Sequence, residues 1–302
     1  MNITRKFCLN QIKHYQQWFL ASSLRWQTTQ ASTNANATGN SSEEGTTHFG
    51  FQTVKESEKV EKVHKVFEDV AKSYDIMNDA MSMGIHRVWK DMFIERLGPQ
   101  HGTCHLDMAG GTGDISFRFI KYLQNQPNPK SLKSHVTVSD INQHMLNVGE
   151  ERAKKLGLTE EKLSNMSIEW KCADAENLPF ADNTYNSYTI AFGIRNCTHI
   201  DKVLSEAYRV LKPGGRFMCL EFSHLNSNTL QWLYDQYSFN VIPPMGQILA
   251  GQWQPYQYLV ESIRKFPKQE DFKQMIVDAG FNMVRYENLT FGIVSIHSGF
   301  KL

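Results

Sequence analysis

The sequence predicts an α/β fold that is built on a largely parallel sheet. Three observations support this class: a glycine-rich turn between an apolar strand and a helix, short apolar segments that alternate with amphipathic ones, and acidic residues at strand ends. The turn lies between Leu106 and Ile115 and reads LDMAGGTGDI. Strands that alternate with helical patterns are typical of parallel sheets.

The glycine-rich turn brings backbone N–H groups and a helix start close to any nucleotide-like ligand. Gly111, Thr112 and Gly113 form its centre, and Ser116 stands where a dinucleotide-binding fingerprint has its third glycine. Asp114 follows directly, so a carboxylate would face a bound pyrophosphate. The turn therefore favours a ligand without phosphates, such as S-adenosylmethionine. A turn whose glycines serve packing alone is the alternative.

Composition excludes several functional classes. The chain has 302 residues, 41% of them hydrophobic, and a formal net charge of +1. This charge gives no field that would recruit nucleic acid, and no apolar run reaches the roughly 18 residues needed to span a bilayer. The five cysteines contain no C-x-x-C pair, and His101 and His105 have no acidic or thiol partner nearby. We expect a soluble protein with reduced thiols and no metal site.

The N-terminal segment is predicted to be a mitochondrial presequence followed by a linker. From Met1 to Ser42 the chain has no Asp or Glu, and its basic residues are Arg5, Lys6, Lys13 and Arg25. Aromatic residues interleave with them at roughly helical spacing, as in import presequences, although a disordered polar tail is the alternative. We expect residues 1–47 to be presequence and linker, and residues 48–302 to be the folded domain.

The folded part is predicted to open with helices. Helical periodicity from Val60 to Ala71 indicates an amphipathic helix. Lys72 to Gly84 is polar, aromatic and rich in turn formers, which predicts a loop over the site. Helical spacing returns from His86 to Leu97, and Gly98-Pro99 ends it.

Seven segments are predicted to form the sheet, the last two as a terminal hairpin. They are Cys104 to the glycine turn, His135–Asp140, Ser167–Cys172, Ser187–Phe192, Arg216–Phe222, Met283–Leu289 and Ile293–Ser298. Helices are expected between them, and Lys212 to Gly215 should end the helix before the fifth strand. Residues 225–266 are rich in Trp, Tyr, Phe and Pro, interrupt the alternation, and are predicted to cap the carboxyl ends of the strands.

Polar residues at strand ends are the site candidates. Asp140 ends the second strand, where a carboxylate can accept hydrogen bonds from both ribose hydroxyls, and helix capping is its alternative role. Asp174, just past the third strand, is placed to accept from an adenine amino group. Arg195 and Asn196 follow the fourth strand and point to the site by topology, because ligands bind outside the carboxyl ends. A structural salt bridge is the alternative for Arg195.

Several motifs resemble the ubiquinone/menaquinone C-methyltransferase family. They are KSYDIMND at 72–79, GIHRVWK at 84–90, the glycine turn, AFGIRN at 191–196, LKPGGRF at 211–217 and YLVESIR at 258–264. The resemblance spans about Val54 to Leu302. The chain departs from the usual pattern at Met83, Met108 and Gln252, and only the last changes a charge.

The resemblance implies a class I S-adenosylmethionine-dependent methyltransferase fold. This fold is Rossmann-like, with a mostly parallel seven-stranded sheet and an antiparallel last strand. The implied cofactor contacts are Thr112, Asp140, Asp174 and Ala175, beside the flanking Gly111 and Gly113. The residues implied in the chemistry are Arg195, with Tyr74 and Asn196 close by.

The implied reaction is C-methylation of a polyprenyl benzoquinol in ubiquinone synthesis. Arg195 would stabilise the phenolate of the reduced ring, and the proton acceptor is left open among water, Tyr74, Glu221 and His224. The resemblance further implies peripheral association with the matrix side of the mitochondrial inner membrane, within a complex of ubiquinone-synthesis proteins. Demethylmenaquinol-type methylation and a non-catalytic scaffold of that complex are the alternatives.

Overall fold

A seven-stranded sheet forms the centre of the protein. The computed structural model describes residues 45–70, 74–159 and 162–302, so the predicted presequence lies outside the described residues. The strands of the large sheet are β3 (Cys104–Met108), β4 (Ser134–Asp140), β5 (Met166–Cys172), β6 (Tyr185–Ala191), β7 (Leu211–Phe222), β8 (Asn282–Leu289) and β9 (Val294–Phe300). Two earlier strands, β1 (Thr46–Phe49) and β2 (Gln52–Lys55), form a separate antiparallel hairpin.

The strand order in the large sheet is β5-β4-β3-β6-β7-β9-β8. Strands β3 to β7 pair in parallel, and β9 is antiparallel to both of its neighbours. The predicted fold class is therefore confirmed, including the antiparallel last strand. The order reverses between β3 and β6, which is where open α/β sheets bind their ligands.

Helices cover both faces of the sheet. They are α1 (Glu56–Val70), α2 (Tyr74–Ser82), α3 (Ile85–Leu97), α4 (Asp114–Gln124), α5 (Gln143–Lys155), α6 (Ile200–Val210), α7 (Asn228–Asn240), α8 (Ile242–Ala250), α9 (Gln254–Lys265) and α10 (Gln269–Asp278). One apolar core joins α6 and α10 to the sheet, and a second joins α3, α4 and α5 to its other face. Val136 and Val138 on β4 are completely buried, as expected for a strand covered on both sides.

The predicted loop between residues 72 and 84 is wrong for most of its length, because Tyr74–Ser82 is helix α2. The turn-forming Asn78 and Asp79 are overridden by tertiary packing. Met77 is 1% exposed and packs in an apolar cluster with Ile242 of α8. Burial of this side chain supplies the stabilisation that local propensity does not.

Two predicted boundaries also differ from the structure. Strand β1 begins at Thr46, inside the segment predicted to be linker, because it pairs with β2. Strand β7 begins at Leu211, directly after α6, although the Lys212 to Gly215 segment was expected to precede the strand. The pairing of β6 with β7 shifts register there, which accommodates the turn residues within the strand.

Residues 228–265 form the three helices α7, α8 and α9, which we call the helical cap. The cap packs against α2 and lies beside Phe192 and Phe222, the residues at the carboxyl ends of β6 and β7. That residues 225–266 form a substrate cap stays a prediction. None of the described helices has the length and apolarity required to cross a membrane.

Buried His297 on β9 makes stability depend on pH. Burial lowers the pKa of His297 to about 4, and its Nε2–H donates to the Gln269 carbonyl at 2.9 Å. The unfolded chain therefore binds more protons than the folded chain between about pH 4 and 6.5, and stability rises with pH across this window.

The free energy of unfolding should rise between pH 5 and pH 7 by about 2 kcal/mol less in His297→Gln than in the wild-type protein. Thermal unfolding of both proteins at the two pH values measures it, and the difference in Tm between pH values should shrink by roughly 4 to 8 °C in the variant. Equal pH dependence in the two proteins would contradict the assignment.

Candidate active site

Two cavities lie side by side at the carboxyl ends of the strands. The first, about 330 Å³, is bordered by the ends of β3 to β6 and by α1, and we call it the strand-end cavity. The second, about 480 Å³, lies between α2, α3 and the helical cap, and we call it the apolar cavity. Phe192 lines both. Two ligands bound in these cavities would meet at Phe192.

Helix α1 covers the strand-end cavity and is hydrogen-bonded to its rim. Lys59 donates from Nζ to the Cys197 carbonyl at 2.8 Å, and His64 donates from Nε2 to the Ile141 carbonyl at 3.1 Å. Lys59 is 2% exposed, and burial lowers its pKa. These two hydrogen bonds attach α1 to the segments that follow β4 and β6 and border the cavity.

Asp140 lies on the wall of the strand-end cavity with acceptor capacity to spare. Its two carboxylate oxygens accept from the backbone N–H of Gly111 at 2.9 Å and of Asn142 at 2.8 Å. Burial raises its pKa, and those two hydrogen bonds oppose the rise. An ionised carboxylate can accept about four hydrogen bonds, so Asp140 can still accept from a ligand diol. The cap of α5 is Asn142, not Asp140, which rules out the capping alternative.

Asp174 and Ala175 also line the strand-end cavity, directly after β5. The Asp174 carboxylate accepts from the Glu176 backbone N–H at 2.9 Å and is exposed. Ala175 is buried, and the apolar side chains of Ile141 and Met145 line the same cavity. This combination of an acceptor with apolar neighbours fits a flat heteroaromatic ring that carries an amino group.

The glycine turn has the predicted shape, but its central residues lie outside the cavity lining. Gly111 and Gly113 adopt left-handed backbone conformations, with φ of 52° and 82°. Thr112 accepts a hydrogen bond from Arg152 Nη1 at 2.6 Å. Met108 and Ala109 line the strand-end cavity in their place. Cofactor contacts at Gly111, Thr112 and Gly113 therefore stay a prediction.

The buried carboxylate of Asp107 anchors the glycine turn. Asp107 accepts from both the backbone N–H and the hydroxyl of Ser116, at 3.0 and 2.7 Å, and from Thr189 at 3.1 Å. Burial raises the pKa of Asp107 to about 6, although these hydrogen bonds oppose the rise. Asp107 ties β3 to the first turn of α4 and so fixes the turn between them.

Asp114 is paired with cations. Lys90 donates to it from Nζ at 2.7 Å, and Arg118 also donates to it. Burial alone would raise the pKa of Asp114, but attraction to Lys90 and Arg118 outweighs it and lowers the pKa to about 2. Its negative charge is neutralised locally, so this carboxylate repels a phosphate less than the sequence alone predicts.

Arg195 lies at the junction of the two cavities and lines the apolar one. It is 8% exposed, and its Nη1 donates to Glu221 at 2.8 Å and to the Phe192 carbonyl at 2.5 Å. Burial raises the pKa of Glu221, and the Arg195 guanidinium opposes this rise. Arg195 Nε is buried with no hydrogen-bond partner among the described residues. The arginine thus forms the predicted salt bridge and also borders the apolar cavity.

Asn196 belongs to the same short 3₁₀ turn as Arg195, yet it lines the strand-end cavity. Its amide oxygen accepts from the Tyr258 hydroxyl at 3.0 Å. Tyr258 lines the apolar cavity, and its ring stacks on Phe49 with 4.1 Å between centroids. Burial raises the pKa of Tyr258, which keeps the phenol neutral and able to donate. The pair therefore connects the two cavities.

Two further predicted participants, Glu221 and His224, lie outside both cavity linings. Glu221 is bound to Arg195, and His224 interacts through Nε2 with the Phe266 carbonyl at 3.0 Å; neither lines either cavity. Tyr74 begins α2, but its side chain lies outside the described residues.

Sequence reasoning missed Tyr258, His86 and Lys90, all buried residues that line the apolar cavity. His86 interacts through Nε2 with Asp79 at 2.8 Å, and burial lowers its pKa. Each of the three lies within a motif that carries the family resemblance, which was the available signal. Among the described residues, no group of three or more His, Cys, Asp or Glu could hold a metal ion.

The geometry suits transfer of a group between two bound molecules. The strand-end cavity offers carboxylates and apolar walls, and the apolar cavity offers a buried guanidinium next to the shared residue Phe192. A polar donor molecule would occupy the first cavity and an apolar acceptor the second.

Comparisons with known proteins agree with this arrangement. A model described as the ubiE/COQ5 methyltransferase family matches residues 52–301. The chain is 78% identical over 262 residues to the mitochondrial 2-methoxy-6-polyprenyl-1,4-benzoquinol methylase of Drosophila melanogaster, covering 87% of each chain. It is 54% identical to the protein of that name from Homo sapiens, covering 85% of this chain and 84% of the relative. The solved [4+2]-cyclase SpnF shares the fold, at 15% identity and a TM-score of 0.55, over 79% of this chain and 94% of that one.

Proposed function

The chain belongs to the ubiE/COQ5 methyltransferase family, and from this premise we propose that it methylates a ring carbon of 2-methoxy-6-polyprenyl-1,4-benzoquinol in ubiquinone biosynthesis. Its methyl donor is S-adenosylmethionine. The observation that carries the proposal is the junction of two unlike cavities at Phe192, with Arg195 lining one and Asn196 the other. Relatives with this substrate in their names cover most of the chain.

The strand-end cavity fits S-adenosylmethionine. This cofactor supplies a methyl group on a positively charged sulfonium, which makes the methyl carbon electrophilic. We assign Asp140 to the ribose hydroxyls, because its carboxylate has acceptor sites left after Gly111 and Asn142 are bonded. Asp174 would accept from the adenine amino group beside Ala175. Both carboxylates also favour a cationic ligand over a phosphate.

Arg195 is assigned to the acceptor. A benzoquinol ring carbon becomes a strong nucleophile only when a neighbouring phenol is ionised, and a guanidinium stabilises that phenolate. Because arginine does not lose its proton in proteins, Arg195 would act as a hydrogen-bond donor and not as the base. Its salt bridge to Glu221 fixes its position beside the apolar cavity. The ring carbon would form a bond to the methyl group as the bond between that group and sulfur breaks, and S-adenosylhomocysteine would be released. The methylated carbon would then lose its proton to an acceptor such as water, which restores aromaticity.

The apolar cavity contributes mainly by proximity and by excluding water. Its walls come from Met77, Trp89 and Phe222 among others, and their packing holds a flat ring against Phe192. Holding the methyl donor and the ring carbon in line supplies a large part of the rate enhancement without further catalytic groups. The Tyr258 hydroxyl would fix Asn196 at the junction, so that both ligands meet a rigid wall.

We further propose that the protein acts in the mitochondrial matrix, peripheral to the inner membrane, with other proteins of ubiquinone synthesis as partners. The close relatives are named mitochondrial. The acid-free, basic segment from Met1 to Ser42 supports a presequence. An apolar acceptor cavity supports a substrate that is delivered from a membrane or by a partner.

The test is methyl transfer from labelled S-adenosylmethionine to a short-tailed 2-methoxy-6-alkyl-1,4-benzoquinol that is kept reduced. We expect turnover with the quinol and none above background with the oxidised quinone, because only the quinol can form a phenolate. A demethylmenaquinol assayed in parallel should be the poorer acceptor. Preference for the demethylmenaquinol supports the first alternative, whereas cofactor binding without methylation, even with membranes and partner proteins, supports a scaffold.

A further inference from the structure

The lining of the apolar cavity has a buried part and an exposed part. Arg195 is buried, and Phe192 beside it also lines the strand-end cavity. Met83 lines the apolar cavity although it is 92% exposed. Ile85, 36% exposed, lines the cavity beside it. The cavity therefore opens to the surface at the turn between α2 and α3, which we call the Met83 mouth.

Met83 is an unusual residue for a surface turn. Met83 adopts a left-handed backbone conformation with φ of 50°, which is rare for a long side chain. A strained, almost fully exposed apolar residue is unfavourable for a turn that only connects two helices, and such strain is concentrated at ligand sites. Methionine is also the apolar side chain that adapts best to flexible ligands.

Much of the cavity wall suits a hydrocarbon. Met77 and Met81 of α2 and Ile242 of the cap line it. Two polar groups in the same wall are already bonded within the protein: Trp89 donates to Thr290 at 2.8 Å, and Tyr237 donates to the Met81 carbonyl at 2.8 Å. Such a wall gains little from a polar ligand and much from an apolar one.

The orientation of the acceptor in the apolar cavity follows from the position of its reactive ring. The methylated ring must lie near Phe192 and Arg195, because the donor cavity adjoins there. A cavity of about 480 Å³ is of the size that encloses a drug-sized ligand, which is less than a ring together with a long tail. The remainder of the tail must leave the cavity, and Met83 and Ile85 are the exposed residues of its described lining.

We propose that the Met83 mouth is the exit through which the isoprenoid tail of the acceptor leaves the apolar cavity, and that the wall from Met77 to Met83 binds the first isoprene units. This inference rests on the proposed function. Val88, 52% exposed and one helical turn after Ile85, would extend the contact along the outside of α3.

The experiment compares acceptors that carry one, two or three isoprene units on the same benzoquinol ring. A methylene in a fitted apolar pocket is worth about tenfold or more in kcat/KM, so each unit that remains enclosed should raise kcat/KM by at least about tenfold. The gain should level off once the tail reaches the mouth. The readout is the ratio of kcat/KM between the three-unit and one-unit acceptors.

Met283 provides a matched control for Met83. It is also exposed, at 72%, and also adopts a positive φ, of 53°, but it lies on β8 and lines neither cavity. Met83→Gly and Met283→Gly both relieve backbone strain and should fold. We expect Met83→Gly to lower the ratio several-fold and Met83→Glu to lower it about tenfold, with no change for Met283→Gly or Met283→Glu.

The outcomes separate this inference from the proposed function. If the wild-type protein methylates none of the acceptors, the proposed function fails. If it methylates all of them and the ratio is the same in the Met83 and Met283 variants, the function stands and the exit lies elsewhere. If the Met83 variants change only binding to phospholipid vesicles, the mouth is a membrane contact, and the inference is overturned.

Discussion

Loss of the Arg195 guanidinium is expected to lower kcat by about 10²- to 10³-fold, which is typical for removal of one donor from an anion-stabilising site. Arg195→Lys keeps the charge near Glu221 but loses the planar set of donors, so it should show most of this effect. Binding of S-adenosylhomocysteine should change little, because Arg195 lines the apolar cavity. Steady-state kinetics with saturating acceptor and a separate binding titration measure the two quantities.

A control for the Arg195 variants must also replace Glu221, because this carboxylate is only 1% exposed. Arg195→Met alone would leave this carboxylate buried without its partner, at a cost of about 3 to 5 kcal/mol in stability. The double variant Arg195→Met with Glu221→Gln removes both charges and should regain most of that stability without regaining activity. A double variant with nearly wild-type kcat would show that Arg195 serves the fold alone.

Replacement of Asp140 should have the second largest effect, on cofactor affinity. Asp140→Ala is expected to raise the Kd for S-adenosylmethionine about 100-fold, because hydrogen bonds to a charged acceptor contribute about 1.5 to 3 kcal/mol. Asp140→Asn retains an acceptor oxygen and should cost less. Calorimetric titration of S-adenosylmethionine into each variant gives the affinities, and KM for the quinol should stay nearly constant.

Asp201 is the matched control for Asp140. It is exposed in the first turn of α6 and lines neither cavity, so Asp201→Ala should leave cofactor affinity unchanged. Thermal unfolding without ligand checks that Asp140→Ala has not simply lost the turn that it supports through Gly111. If Asp140→Ala folds and binds cofactor normally, the ribose assignment is wrong.

The parts of the fold that local sequence could predict are those fixed by local periodicity. The local sequence shows the apolar residues of the buried strand β4, such as Val136 and Val138. It likewise shows which face of the amphipathic helix α6 is apolar. Asp140, Asp174, Arg195 and Asn196 could be predicted as candidates, because residues after parallel strands share one edge of the sheet.

Features that depend on distant contacts could not be predicted in this way. Helix α2 forms because Met77 packs on residues more than a hundred positions later in the chain. Tyr258 reaches Asn196 across 62 positions, and nothing in local periodicity orients the helical cap that carries it. The pairing of Asp114 with Lys90, across 24 positions, likewise follows only from the packing of α3 against α4.

The position of β9 between β7 and β8 constrains the order in which the molecule can be assembled. As the chain is synthesised from its N-terminus, β8 emerges with no neighbour in the sheet, and β7 has one open edge. Strand β9, Val294–Phe300, closes both gaps. The sheet therefore stays incomplete and open to intermolecular pairing until β9 has been synthesised and has inserted between β7 and β8.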